Sequence, residues 1–402
     1  MSDTTPRLIR ANPLAAGGAT GPASSDRIAA IQLSQVLLPL ATPISDAKVL
    51  TGRQKPLTEI ALVFAEIRSQ DGHTGLGFSY SKRAGGPGQF AHAQELAPTL
   101  LGEDPNDIAR LWDKLVWAGA SVGRSGLATQ AMAAFDIALW DMKARRAGLP
   151  LAKLLGAHRD SVACYNTSGG FLSSPLPEVL ANVDAALERG IGGLKIKVGQ
   201  PDPMIDLQRV RAVHQLIEQR TGGRVALMVD ANQEWDRVTA QRFGRLVEPL
   251  NLVWIEEPLD AYDAEGHAAL AALLDTPIAS GEMLTSVAEH AELIRCAAVD
   301  ILQPDAPRMG GITPMLKIMA LAEQARIGLA PHFAMEIHVH LAAAYPSEPW
   351  VEHFEWLEPL FNERLDIRDG RMGVPSRPGL GLSLSEQARG WTVQTVRFGD
   401  VG

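Results

Sequence analysis

The 402-residue chain is 46% hydrophobic and 21% charged with a net charge of −9, a composition that excludes global disorder and a basic surface for nucleic acid or anionic lipid. No run reaches the roughly 18 apolar residues needed to cross a bilayer, and Cys164 and Cys296 lack partners at redox or zinc-ligand spacing, so a cytoplasmic protein with neither a nucleic-acid nor a membrane partner is expected. The length calls for two domains.

Residues 1–26, rich in Ala, Gly, Ser and Thr without the apolar stretch of a secretory signal, read as a flexible tail. From Arg27 the pattern is a β-meander, with strands over Ile31 to Leu40 and Thr58 to Arg68, a turn at Asp71-Gly72 and a return through Leu76 and Phe78. Helical stretches follow near His92–Leu101, Asp107–Trp117 and Ala128–Arg146. The last is apolar at Ala131, Phe135, Leu139 and Met142 and ends at Gly148-Leu149-Pro150. Residues 27–155 thus form an α+β domain.

From residue 156 to about 355, short apolar strands alternate with helices such as Arg237–Val247, Gly266–Leu274, Ala288–Ala297 and Pro314–Ala325. Strands end at Asn166, Val198, Asp230, Glu256, Glu282, Asp305 and His332. Seven such units with parallel connections favour a closed β/α barrel. A doubly wound sheet wants a Gly-rich phosphate turn after its first strand, and none is present.

In such a barrel the active site lies at the C-terminal strand ends. Asp230, Glu256 and Glu282 close successive strands at intervals of 26 and 26 residues, which brings three carboxylates to one rim. Together they would repel unless a hard cation neutralised them, and Mg²⁺ prefers oxygen ligands. Glu257 points away by strand alternation. Lys195 and Lys197 share one face of their strand, while Leu194, Ile196 and Val198 pack outward. Each ammonium, with Mg²⁺, is expected to lower the other's pKa to roughly 7–8, the range of a general base. Asp305 and His332 close neighbouring strands, a pairing that converts an imidazole into an acid/base group. His338 and His340 follow on a helix, where a spacing of two does not face one point, and read as structural.

Together, the Lys195-x-Lys197 strand, the Asp230/Glu256/Glu282 set with Asn232, the Asp305/His332 dyad and Glu352 resemble the enolase superfamily and its mandelate racemase-like subgroup. Segments Ser45-Asp46-Ala47-Lys48, Ser79-Tyr80-Ser81-Lys82-Arg83, Asp230-Ala231-Asn232-Gln233 and Glu352-His353-Phe354-Glu355-Trp356 are similar to the branch that dehydrates the six-carbon diacids galactarate and L-talarate. The resemblance implies a (β/α)7β TIM-like barrel covered by the α+β domain, to which residues 356–402 return, and a homo-oligomer. It implies Lys197 and His332 as opposed bases, Lys195 holding a carboxylate oxygen, and Glu352 hydrogen-bonding the enediolate. Asp46, Lys48, Lys82, Arg83 and Asn232 would contact substrate, the cap-loop cations Lys48, Lys82 and Arg83 taking its second carboxylate. The expected reaction is β-elimination of water to a 2-keto-3-deoxy diacid, with epimerisation as a side reaction. A racemase or epimerase with the same bases, a dehydratase of another sugar acid such as glucarate, and a sugar-acid binding protein without chemistry are the alternatives.

Overall fold

The computed structural model describes residues 26–400, so the expected tail lies, but for Asp26, outside the described residues. Strand β1 (Ile28–Ile44), the short helix α1 (Ala47–Leu50), β2 (Leu57–Ser69) and β3 (Thr74–Lys82) open the chain. Three antiparallel strands result, in the order β1-β2-β3. Helices α2 (Gly86–Leu96), α3 (Ile108–Ala118) and α4 (Leu127–Arg146) follow.

Helix α4 departs from the amphipathic pattern expected of it, because it is buried almost all round. It passes between the sheet and the barrel, and small residues allow the approach. A side chain on Gly77 of β3 would come within 2.2 Å of the Ala134 carbonyl oxygen, so only glycine permits this contact. On its barrel side Asp136 accepts hydrogen bonds from the Thr313 amide (2.9 Å) and hydroxyl (2.5 Å).

After α5 (Leu151–Leu154) the barrel runs β4 (Ser161–Asn166), α6 (Leu176–Glu188), β5 (Gly193–Lys197), α7 (Pro203–Thr221), β6 (Ala226–Asp230) and α8 (Arg237–Val247). It continues through β7 (Ile255–Glu256), α9 (Ala264–Ala271), β8 (Ile278–Ser280), α10 (Val287–Arg295) and β9 (Ile301–Leu302). Then come α11 (Ile312–Ala325), β10 (Gly328–Leu329), α12 (Met335–Ala343) and β11 (Trp350–His353). Neighbouring strands pair in parallel from β4 to β10, and β11 pairs in parallel with β4, bringing the eighth strand beside the first. This is the (β/α)7β barrel with an α+β cap. Its outward apolar side chains, among them Leu194, Ile196 and Val198, pack in a cluster with Val210, Val213 and Phe243 of the surrounding helices.

The segment after residue 356 divides. Strands β12 (Ile367–Arg368) and β13 (Arg371–Gly373) stay with the barrel, β13 pairing antiparallel with Ser161–Ala163 of β4, below the point where β5 begins to pair. Phe361 packs against Phe64 and Phe78 of the cap, the Leu380 amide donates to Asp141 of α4, and after α13 (Glu386–Gly390) β14 (Thr392–Gly399) joins the cap sheet antiparallel to β1.

Candidate active site

Strand β5 places Lys195 and Lys197 on the inner face, and Lys197 is in register with Asp230 on β6, which is in register with Glu256 on β7. Glu282 lies beyond the last residue of β8, Ser280. Gly281 makes that step with φ 137°, and a Cβ there would meet the Gln303 backbone at 3.2 Å, so both conformation and space favour glycine. Asp305 and His332 likewise lie past the short ladders of β9 and β10. Single bonds carry the pairing onward, with Gln303 N donating to Ser280 O (2.9 Å) and His332 N to Pro304 O (3.2 Å).

The three acids are buried, and one oxygen from each lies within 4.8 Å of the others. This all-oxygen donor set fits a hard divalent cation. Burial raises the pKa of Glu256, and repulsion from Asp230 and Glu282 adds to the rise against the pull of Lys195, the signature of a cluster short of positive charge. Oε2 of Glu256 accepts from Lys195 (2.8 Å), Trp254 (3.1 Å) and Gln303 (2.6 Å), whereas Oε1 has Lys195 alone at 2.7 Å. Glu257 is buried but turns to Gln233 Nε2 at 3.0 Å.

The lysines differ from expectation. Burial works against the ammonium of Lys197, but Asp230, whose carboxylate it contacts, and the other acids outweigh burial and lift its pKa. Lys195 is lifted in the same way by Glu256 and by Glu352 at 3.0 Å. Carboxylates in direct contact dominate the repulsion between two ammonium groups. Opposite, His332 Nδ1 meets Asp305 Oδ2 at 2.8 Å and its Nε2 lies 3.4 Å from Glu282. Glu352 accepts from Thr167 Oγ1 (2.6 Å) and the Phe333 amide (2.7 Å). Burial favours its neutral form, but Lys195 and His332 hold it well below the usual carboxylate range. It is an acceptor here, and a donor role requires a second anion beside it to raise its pKa. His338 and His340 are buried in α12, where burial lowers each to about 4. They accept from the Ala306 and Ala152 amides.

The cap closes over this floor and leaves a cavity of about 250 Å³. Asp46, Lys48, Lys82, Arg83, Lys197, Asn232, His332 and Glu352 all line it. Two of the cap-loop cations are already engaged: Asp46 caps α1 and accepts from Arg83 (2.9 Å), which also donates to Lys55 O (3.0 Å), while Lys48 donates to Asn232 O at 2.8 Å. Asn232 itself donates its amide to Asp230 Oδ1 (2.8 Å). Lys82 instead lies 4.2 Å from the Phe333 ring centre, with Tyr80 and Trp356 beyond.

Sequence reasoning missed Tyr80, whose hydroxyl donates to Asp305 Oδ2 and lies 3.4 Å from His332 Nδ1. It also missed Gln303, Thr167 and Arg308. The period of two was the available signal, because Tyr80 shares a strand face with Lys82, and Gln303 precedes Asp305 by two. Arg83, Asn232, Gln233, Glu257 and Phe333 all have positive φ. Such strained backbone clusters where function over-determines the chain.

Comparison with known proteins gives a consistent picture. Residues 41–156 match the mandelate racemase / muconate lactonizing enzyme N-terminal domain, and residues 178–388 match the enolase C-terminal domain-like family. L-talarate/galactarate dehydratase of Salmonella typhimurium is 66% identical over 385 residues, 96% of either chain. The 3,6-anhydro-alpha-L-galactonate cycloisomerase of Streptomyces coelicolor is 33% identical over 88% of this chain and 96% of its own. The crystal structure of L-talarate dehydratase from Polaromonas sp. JS666, complexed with Mg and L-glucarate, superposes with a TM-score of 0.91 at 70% identity. It covers 94% of this chain and all of that one.

Proposed function

Since the chain belongs to the mandelate racemase / muconate lactonizing enzyme family of enolase-like proteins, we propose that it is a magnesium-dependent acid-sugar dehydratase acting on galactarate and L-talarate. The observation that carries this reading is the convergence of three carboxylates, a lysine pair and an Asp–His dyad at one end of the barrel, with Glu282, Lys197 and His332 lining the cavity under the cap. The 66% identity to a dehydratase of those two diacids supports the choice of substrate.

Asp230, Glu256 and Glu282 hold the metal. When bound, Mg²⁺ supplies positive charge that offsets the three carboxylates, lowers the affinity of Lys197 for its proton and favours negative charge on the substrate carboxylate. Lys195 fixes a carboxylate oxygen of the substrate, and Glu352, anchored by Thr167 and the Phe333 amide, borders the same group. Lys197 takes the α-proton. The electron pair left behind is first held in the substrate carboxylate as an enediolate; it then makes the α–β double bond as the β C–O bond breaks, and His332, oriented by Asp305, protonates the departing hydroxyl so that water leaves. The enol then becomes the 2-keto-3-deoxy diacid. Lys197 projects from the second barrel strand and His332 from beyond the seventh, which supports their acting on different faces of the substrate.

Incubation of each diacid with the Mg²⁺-loaded protein should yield 2-keto acid and one water per turnover. Lys197→Ala and His332→Asn should each lower kcat by about 10²–10⁴-fold. In D₂O, Lys197→Ala should lose α-proton exchange on one face only. Epimerised diacid without keto acid would establish an epimerase instead, and neither product nor exchange would leave only binding.

The same reading extends to a cytoplasmic homo-oligomer. Trp117 and Val122, each 59% exposed, lie on the cap, apolar surface suited to burial between subunits. A monomer mass by light scattering would remove that assembly.

A further inference from the structure

Five cationic side chains line the cavity, and three are spent: Lys48 on Asn232 O, Arg83 on Asp46 and Lys55 O, and Lys197 on Asp230. Among the described residues Lys82 and Arg308 have no oxygen partner. The nearest hydrogen-bonding contact of Arg308 Nη2 is the Met283 sulfur at 3.8 Å, and its Nε is buried without an acceptor. The acids close by are occupied. Asp305 accepts from Tyr80, His332 and the Arg308 amide, and Glu282 faces His332. Lys82 is half-buried as a residue, but its ammonium is walled in by the rings of Phe333, Tyr80 and Trp356.

We propose that Arg308, on the loop between β9 and α11, joins Lys82, which the family resemblance already directs to the second carboxylate of the diacid, and that Arg308 sets the preference for diacids over monoacids. This rests on the dehydratase reading above. Two like charges in one enclosed space repel, and an anion between them removes that cost. A guanidinium fork with free N–H groups matches a carboxylate in two parallel bonds. Its base is rigid, because the Arg308 amide donates to Asp305 Oδ1 (3.2 Å) and its carbonyl accepts from Thr129 (3.1 Å). The subsite is therefore divided between cap and barrel, with Lys82 at the end of β3 and Arg308 on the barrel rim.

Dissociation constants for galactarate and its monoacid counterpart galactonate, measured by calorimetry on Mg²⁺-loaded protein carrying Lys197→Ala to stop turnover, test the subsite. Adding Arg308→Gln should weaken galactarate roughly 10–100-fold, the range for a lost charge-assisted hydrogen bond, and shrink the diacid-to-monoacid ratio accordingly. Arg308→Lys should recover part of it. In the otherwise unsubstituted enzyme the loss should fall on KM rather than kcat. If both acids weaken alike, Arg308 is structural and the proposal fails. Should Arg308→Gln not fold, Lys82→Gln and Arg308→Lys carry the same ratio, and an unchanged ratio in both overturns it. Absence of keto acid from the unsubstituted enzyme would sink the dehydratase reading, while the binding ratio would still decide for or against the subsite by itself.

Discussion

Burial lowers the pKa of Lys82 to about 8, with Glu282 opposing and Arg308 adding to the fall. Its charge is therefore present below pH 8 and lost above it, well before an ordinary lysine near 10.4 would titrate. KM for galactarate should rise as pH increases through about 8, and Lys82→Arg, which keeps its charge, should flatten that rise. A KM equally steep in the arginine variant would show that another group titrates. At this scale the period of two and the equal spacing of strand-end acids were enough to pick out Lys195, Lys197, Asp230, Glu256 and Glu282 from the sequence. Pairings made across the two domains were not legible, because nothing local marks the Asn232 carbonyl as the partner of Lys48 or Tyr80 as the partner of Asp305. Nor does sequence distance reveal that contact with Asp230 outweighs the repulsion between two lysines.

Helix α4 shows where local pattern gives way to packing. Its 3–4 spacing of apolar residues marked it as a helix, but the faces expected to meet water are covered by the barrel. Asp136 on one of those faces is buried, which raises its pKa to about 7 against the hydrogen bonds from Thr313. It caps α11 from another domain, a role sequence patterns assign only to neighbours in the chain. Asp136→Ala should lower stability by about 1–2 kcal/mol, read as a shift in urea midpoint at constant slope. No shift would mean that water replaces the carboxylate. The two-residue ladders of β7, β9 and β10 were visible as apolar runs of greater length, because the chain stays extended past the last regular hydrogen bond. Strand β11 was not foreseen from pattern: Trp350, Val351, Glu352 and His353 carry a buried acid and a buried histidine that obscure the apolar run.

Across the whole molecule, cap and barrel meet at the cavity, whose lining includes Glu282 of the proposed metal site. Because a folded-state ligand stabilises by mass action, about 2.7 kcal/mol at a hundredfold excess over Kd, chelation of Mg²⁺ should lower Tm in wild type and leave Glu256→Gln nearly unmoved. Equal shifts in the two proteins would place the stabilising ion elsewhere. The architecture was legible from the alternation of strands and helices; the split path of the segment after residue 356 was not, since β12 and β13 are too short to signal their pairing. That path has a consequence for synthesis. The hydroxyls of Ser34 on β1 and Thr395 on β14 meet at 3.2 Å across 361 positions of chain, and the entire barrel must leave the ribosome between them. At roughly 5–20 residues per second, the outer edge of β1 waits some tens of seconds for its neighbour. During that interval nascent chains offer one another an open hydrogen-bonding edge, the opportunity for mispairing that a completed sheet withdraws.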